Sequence, residues 1–152
     1  MKPVDSNFAM AEMLIRKPVS DVFGAFVNPE ITSKFWFTKS SGRVETGAKI
    51  DWTWEMYNHT VSVFIKDVRQ NEFISAEWGN YNETTTVEWT FKPINSTATF
   101  VSIVNNGFKG DPDQLISQVR DATEGFTLVL AGLKAYLEHD IQLNLIGDRF
   151  PH

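Results

Sequence analysis

No cysteine occurs in the chain, which excludes a disulfide framework, thiolate zinc sites and a cysteine nucleophile. No apolar run approaches the roughly 18 residues that a membrane-spanning helix needs. Basic residues are the minority: 14 Lys and Arg against 19 Asp and Glu leave a net charge of −5. That balance argues against a phosphate-dominated nucleic-acid binder and against binding to an anionic membrane. Internal repeats, low-complexity stretches and Pro/Gly-rich linkers are missing too, so the 152 residues read as one domain spanning 1–152. The opening Met1-Lys2-Pro3-Val4-Asp5-Ser6-Asn7 has no apolar stretch of signal-peptide kind, and the expected location is cytoplasmic. Three N-x-S/T sequons, at Asn58, Asn82 and Asn95, are near the number chance supplies and imply no glycosylation.

What the chain has in excess is aromatic bulk: 12 Phe, 5 Trp and 3 Tyr, 13% of all residues. That much rigid apolar surface builds either a large core or a lined cavity.

The residue pattern predicts an α+β domain. Phe8 to Ile15 has strand length and is closed by Pro18. Ser20 and Asp21 are placed to cap a short helix carrying Val22, Phe23, Phe26 and Val27, and Asn28-Pro29 separates it from a second short helix. Period-two alternation follows: Ile50, Trp52, Trp54 and Met56; Val61, Val63 and Ile65; Ile74, Ala76 and Trp78; Val87, Trp89 and Phe91; Val101 and Ile103. Such runs, rich in Thr, Val and Trp, are strands with one wet face. The turn residues between them (Thr46-Gly47, Tyr57-Asn58, Gln70-Asn71-Glu72, Gly79-Asn80, Pro93-Ile94-Asn95) make an antiparallel meander. After Asn105-Asn106-Gly107 the period changes to that of a helix. Asp111, Pro112 and Gln114 have capping-box spacing, and an apolar arc runs from Leu115 to Leu137, so the helix is expected to end near Glu138. Gly125 and Gly132, seven apart, share one stripe of it. Each costs about 1 kcal/mol against alanine, which points to close approach by another element. The economical assembly is a curved antiparallel sheet wrapped around one long C-terminal helix, with two short N-terminal helices at the end of the grip. A curved sheet and a straight helix leave a gap between them.

Trp52, Trp54 and Trp89 are expected on the face turned to the long helix, with Phe126 opposite, either as core or as walls of a ligand cavity. Trp36 and Phe37 lie between short helix and first long strand, where a cavity mouth would open. Asn105 alternates with Val101 and Ile103, so it faces inward. There it ties down the turn at Gly107 or offers a ligand its hydrogen bonds, the turn being the first choice. Glu12 is ambiguous; facing inward it would be a buried acid, a candidate general acid or base. His59, His139 and His152 show no ligand spacing, no G-x-S-x-G elbow or phosphate loop occurs, and Asp111-Pro112-Asp113 opens a helix, not a calcium loop. The expectation is no metal, no cofactor and no catalytic residue.

Several stretches carry a family resemblance: Lys17-Pro18-Val19-Ser20-Asp21-Val22-Phe23 with Asn28-Pro29-Glu30; Phe35-Trp36-Phe37-Thr38-Lys39-Ser40-Ser41-Gly42-Arg43; Trp52-Thr53-Trp54-Glu55-Met56-Tyr57; Thr123-Glu124-Gly125-Phe126-Thr127; and Leu133 to His139. Together with the tail Ile141 to Leu145 and Asp148-Arg149-Phe150-Pro151, they resemble the helix-grip superfamily of START domains and birch-pollen-allergen-like proteins. The nearer likeness is to small bacterial proteins similar to the C-terminal domain of the activator of heat-shock protein 90 ATPase. The resemblance implies the helix-grip fold and a cavity for a small apolar molecule, which some superfamily members cyclise or hydrolyse. The eukaryotic co-chaperone carries an additional N-terminal domain with no counterpart in this sequence, so a chaperone partner rests on analogy alone.

Non-enzymatic binding of a small apolar or aromatic molecule is therefore the expected function, ahead of a cyclase or hydrolase using the same cavity and of a protein-interaction module. Ile141, Leu143, Leu145 and Phe150 should dock, either on the domain or on a second copy in a homodimer.

Overall fold

The computed structural model describes residues 7–79 and 84–151. His152, most of the Asn82 sequon and the second half of the Gly79-Asn80 turn fall outside them. Seven antiparallel strands form one sheet: β1 (Ala9–Ile15), β2 (Lys39–Ser40), β3 (Lys49–Trp54), β4 (His59–Arg69), β5 (Phe73–Trp78), β6 (Thr85–Asn95) and β7 (Ala98–Asn106). Their order is β1-β7-β6-β5-β4-β3-β2, so β3 to β7 are the expected meander and β1 closes onto the last strand. Positive φ falls at the predicted turn residues Gly47, Asn58, Asn71 and Gly107, where glycine and asparagine tolerate a left-handed backbone best.

Alternation decides the faces. In register, Ala9, Asn105, Val87, Ala76 and Ile65 make one inward row across the sheet, and Ala11, Ile103, Trp89 and Ile74 the next. All nine are buried. Phe64, out of phase with Val63 and Ile65, points outward and is partly exposed. Glu12 is exposed as well, so the candidate buried acid of β1 does not exist.

Against the inward face lies α3 (Pro112–His139), 28 residues and about 42 Å long at 1.5 Å per residue. Its predicted capping box is present in both directions: Asp111 Oδ1 accepts from the Gln114 backbone N–H at 2.9 Å, and Gln114 Oε1 accepts from the Asp111 backbone N–H at 2.8 Å. Phe126, Val129, Leu130 and Leu133 are its buried arc. The short helices α1 (Val19–Val27) and α2 (Pro29–Thr32) fill one end of the grip. Neither Ser20 nor Asp21 caps α1; Pro18 stands at its N-cap with no side-chain bond. Asn28 does cap, but for α2, accepting from the Glu30 N–H at 3.1 Å.

The tail departs from its alternating pattern. Ile141 and Leu143 are each 48% exposed, and Leu145–Asp148 forms a single turn, α4. The left-handed residues Asp140 and Asn144 turn the chain back on itself before a strand can start. What docks is the segment beyond: Tyr57 Oη donates to the Ile146 carbonyl at 2.5 Å, and the Phe150 N–H donates to Tyr57 Oη at 3.3 Å.

Candidate functional site

In an antiparallel sheet alternate strands begin and end at the same edge. The end of β3, the start of β4, the end of β5, the start of β6 and the end of β7 therefore meet at one end of this molecule. There the sheet stands off from the first half of α3, and a cavity of about 540 Å³ lies between them. Trp54, Val61, Trp78, Thr85 and Asn105 line it from the sheet, and Gln118, Asp121, Ala122, Gly125 and Phe126 from the helix. Tyr57, His59, Gly79, Phe108, three tail residues (Ile146, Arg149, Phe150) and the buried Trp36 complete the wall.

Trp36 joins cavity to core. Its ring centroid is 6.2 Å from Trp54, 5.8 Å from Trp78 and 5.9 Å from Phe126 on the cavity side. It is also 4.9 Å from Trp52 and 6.1 Å from Trp89 on the core side. Trp78 and Phe126 are in ring contact at 5.6 Å, with 31° between their planes. Offset and edge-on contacts of this kind are the favoured aromatic geometries and fix the rings' positions.

Of the residues expected to contact a ligand, Trp36, Trp54, Asn105 and Phe126 are on this wall; Phe37, Trp52 and Trp89 are not. Phe37 is 1% exposed and stacks on Trp52 at 5.0 Å with 21° between the ring planes, so it is core and not mouth. Trp36, too, is buried instead of standing at the mouth. Trp52 and Trp89 lie deeper, and their indole N–H groups are buried without a hydrogen-bond acceptor; neighbouring ring faces are the partners at hand. The aromatic and charged wall residues missed from sequence include Tyr57, His59, Trp78, Phe108, Arg149 and Phe150. Trp78 was findable, because it shares the inward face of β5 with Ile74 and Ala76. The others sit at an element end, in a loop or in the tail, where no periodicity points inward.

Asn105 does something more specific than tie the Gly107 turn. Its side-chain nitrogen donates to Thr85 Oγ1 and to the Thr86 carbonyl, both at 2.9 Å, and so pins the start of β6. Among the polar residues that are fully buried (Thr32, Ser75, Thr99, Asn105), it alone is on the cavity wall.

Charge is confined to the rim. Arg149 Nε donates to Glu124 Oε1 at 2.8 Å, and its guanidinium lies 4.3 Å over the Phe150 ring. That hydrogen bond holds the Glu124 carboxyl below its ordinary pKa and raises that of Arg149. His59 and Asp121 are exposed. Among the described residues no cluster of three His, Asp or Glu could hold a metal ion, and no helix is long and apolar enough to cross a membrane. A second hollow, about 400 Å³, lies beside the start of α3 between Thr85, Gly107, Lys109 and Gln118, and no aromatic residue lines it.

Known structures share this fold. A Staphylococcus saprophyticus protein is 29% identical, with a TM-score of 0.77 over 90% of this chain and 95% of that one. The Aha1 dimer of Colwellia psychrerythraea is 16% identical, TM-score 0.74, over 87% and 96%. The di-domain ARO/CYC BexL of the BE-7585A biosynthetic pathway is 14% identical, TM-score 0.71, over 86% of this chain and 46% of that one. At 16% and 14% identity, the last two likenesses are of fold alone. No curated protein matches the sequence. The family described as Activator of Hsp90 ATPase homolog 1-like protein matches residues 16–138. With most of its length in that match and a helix-grip architecture throughout, the chain belongs to the Activator of Hsp90 ATPase homolog 1-like family.

Proposed function

We propose that the protein binds a small, flat, apolar or aromatic molecule in the cavity between the first half of α3 and the open end of the sheet. The observation that carries this reading is the wall itself: Trp36, Trp54, Trp78 and Phe126 line an open cavity of about 540 Å³. Ligand sites are mostly apolar clefts of about 300–1,000 Å³ with few polar groups. Fold neighbours from biosynthetic pathways, among them the ARO/CYC BexL, support a ligand-binding domain. Binding is favoured over turnover because the titratable side chains of the wall are exposed or already engaged: His59 and Asp121 are exposed, Tyr57 donates to the Ile146 carbonyl, and Arg149 is engaged by Glu124.

The test is a melting-temperature and tryptophan-emission screen against two-ring aromatic molecules. A true ligand at one hundred times its dissociation constant should stabilise the fold by about 2.7 kcal/mol. It should also change the emission of Trp36, Trp54 and Trp78. If no apolar compound of suitable size does either, the reading fails and a protein-interaction role, suggested by the family's name, moves ahead.

A further inference from the structure

Which molecule the cavity prefers is written in the unused half of one amide. Asn105 is 2% exposed and lies on the cavity wall. Its side chain could in principle be placed with oxygen and nitrogen exchanged, but the neighbours forbid it. The Thr86 carbonyl can only accept, so the amide atom 2.9 Å from it is the nitrogen. The nitrogen's second proton goes to Thr85 Oγ1. Both donors are thereby consumed inside the protein, and the carbonyl oxygen is left over. No described residue donates to that oxygen, and Asn105 is on the cavity wall, so the oxygen is the half of the amide left for that space. A buried amide oxygen held in place by two bonds on its nitrogen is a preoriented acceptor on a wall it shares with Trp54, Trp78 and Phe126.

We propose that the cavity selects aromatic molecules that carry a hydrogen-bond donor, a hydroxyl or N–H group, and that Asn105 Oδ1 receives it. Resting on the binding function proposed above, this assigns the ligand's chemical class and its orientation. An aromatic body lies against Trp54, Trp78 and Phe126, and a donor points at the end of β7. A purely apolar molecule of the same shape would displace water from the oxygen and give nothing back.

Isothermal titration with three matched probes at neutral pH decides the matter: 2-naphthol, naphthalene and 2-methoxynaphthalene. The methyl ether keeps the oxygen of the naphthol and carries a methyl group in place of its proton. The expected result is that 2-naphthol binds about fivefold or more tighter than the other two. In Asn105→Leu the preference should disappear while naphthalene still binds. Equal affinity for all three probes would overturn this inference and leave the binding function standing, whereas no binding by any of them would remove both. A preference that survives in Asn105→Leu would overturn the assignment to Asn105. Should that variant not fold, the three probes on the unaltered protein still decide between donor and no donor.

Discussion

Gly125 and Gly132 are the same residue on the same stripe of the same helix, two turns apart, and they do opposite things. A Cβ on Gly132 would meet Phe35 Cβ and the Phe35 carbonyl oxygen, each at 3.3 Å. Here the chain between α2 and β2 presses on the helix, and glycine is what lets it approach. A Cβ on Gly125 would meet nothing within 4 Å, because Gly125 faces the cavity. One glycine closes the second half of α3 onto the core; the other leaves the first half open. The packed and hollow ends of the molecule thus differ in what stands opposite the helix and not in the helix itself.

The largest effect should come from the packed end. Trp89 is 2% exposed, among Phe26, Trp36 and the inward row of β5 and β7. Trp89→Ala should cost about 3–5 kcal/mol in denaturant unfolding. The corresponding deletion at Trp54, on the cavity side, should cost less, since part of its surroundings is already empty. Equal losses would mean that the cavity is collapsed in solution.

Next come the glycines. Gly132→Leu drives a side chain into Phe35 and should destabilise by about 1–3 kcal/mol, the usual cost of overpacking. Gly125→Leu places the same side chain in open space. It should leave the melting temperature near that of the unaltered protein, helped by about 1 kcal/mol of recovered helix propensity, yet lower the affinity for an aromatic ligand at least tenfold. A Gly125→Leu protein that binds as before would disconnect the cavity from binding.

A smaller effect is expected at the rim. Tyr57 ties the tail across the hollow end by donating to the Ile146 carbonyl and accepting from the Phe150 N–H. Tyr57→Phe should cost about 1 kcal/mol and speed ligand exchange. Deleting residues 141 to 152 should do more of both, and its sedimentation will tell whether the half-exposed Ile141 and Leu143 cover a second copy.

How far the sequence reaches follows the same division. Period-two alternation places Trp52, Trp54 and Trp89 on the inward face, and the helical arc with its Asp111 cap places Phe126 opposite. That is enough for the fold, because face and period are local properties. Whether an inward residue meets a neighbour or a void depends on how far the sheet stands from the helix, which is not local. So Trp52 fell into the core and Trp54 onto the wall, and no pattern within β3 separates them; Phe37, in the connection before β2, also fell into the core. The tail shows the limit plainly. Ile141, Leu143 and Leu145 alternate like a strand, but the left-handed turns at Asp140 and Asn144 override that pattern, and Phe150 returns to Tyr57, some ninety residues earlier.

The smallest difference between the two ends should appear on acidification. At the packed end Glu138 fastens α3 to β1. Burial works against its carboxylate, but the Arg16 backbone N–H at 2.9 Å and Lys134 Nζ at 2.6 Å outweigh that, so its pKa lies below the ordinary value. Lys134 also donates to the Leu14 carbonyl at 2.8 Å, completing the tie. A carboxyl whose pKa is depressed on folding adds stability above its unfolded pKa, and that stability is lost as pH falls through the folded value. The loss should therefore begin near the unfolded pKa of about 4.3 and continue below it. Glu124, at the hollow end, has its pKa shifted in the same direction by Arg149, but its carboxylate is open to solvent and its pairing is screened by salt. Melting temperatures measured from about pH 7 down to pH 3 should show a shallower acid decline in Glu138→Gln than in the unaltered protein. At about 0.5 M salt that difference should persist, while any difference made by Glu124→Gln should vanish. If Glu124→Gln flattens the decline more than Glu138→Gln at high salt, the tighter fastening of the packed end is wrong.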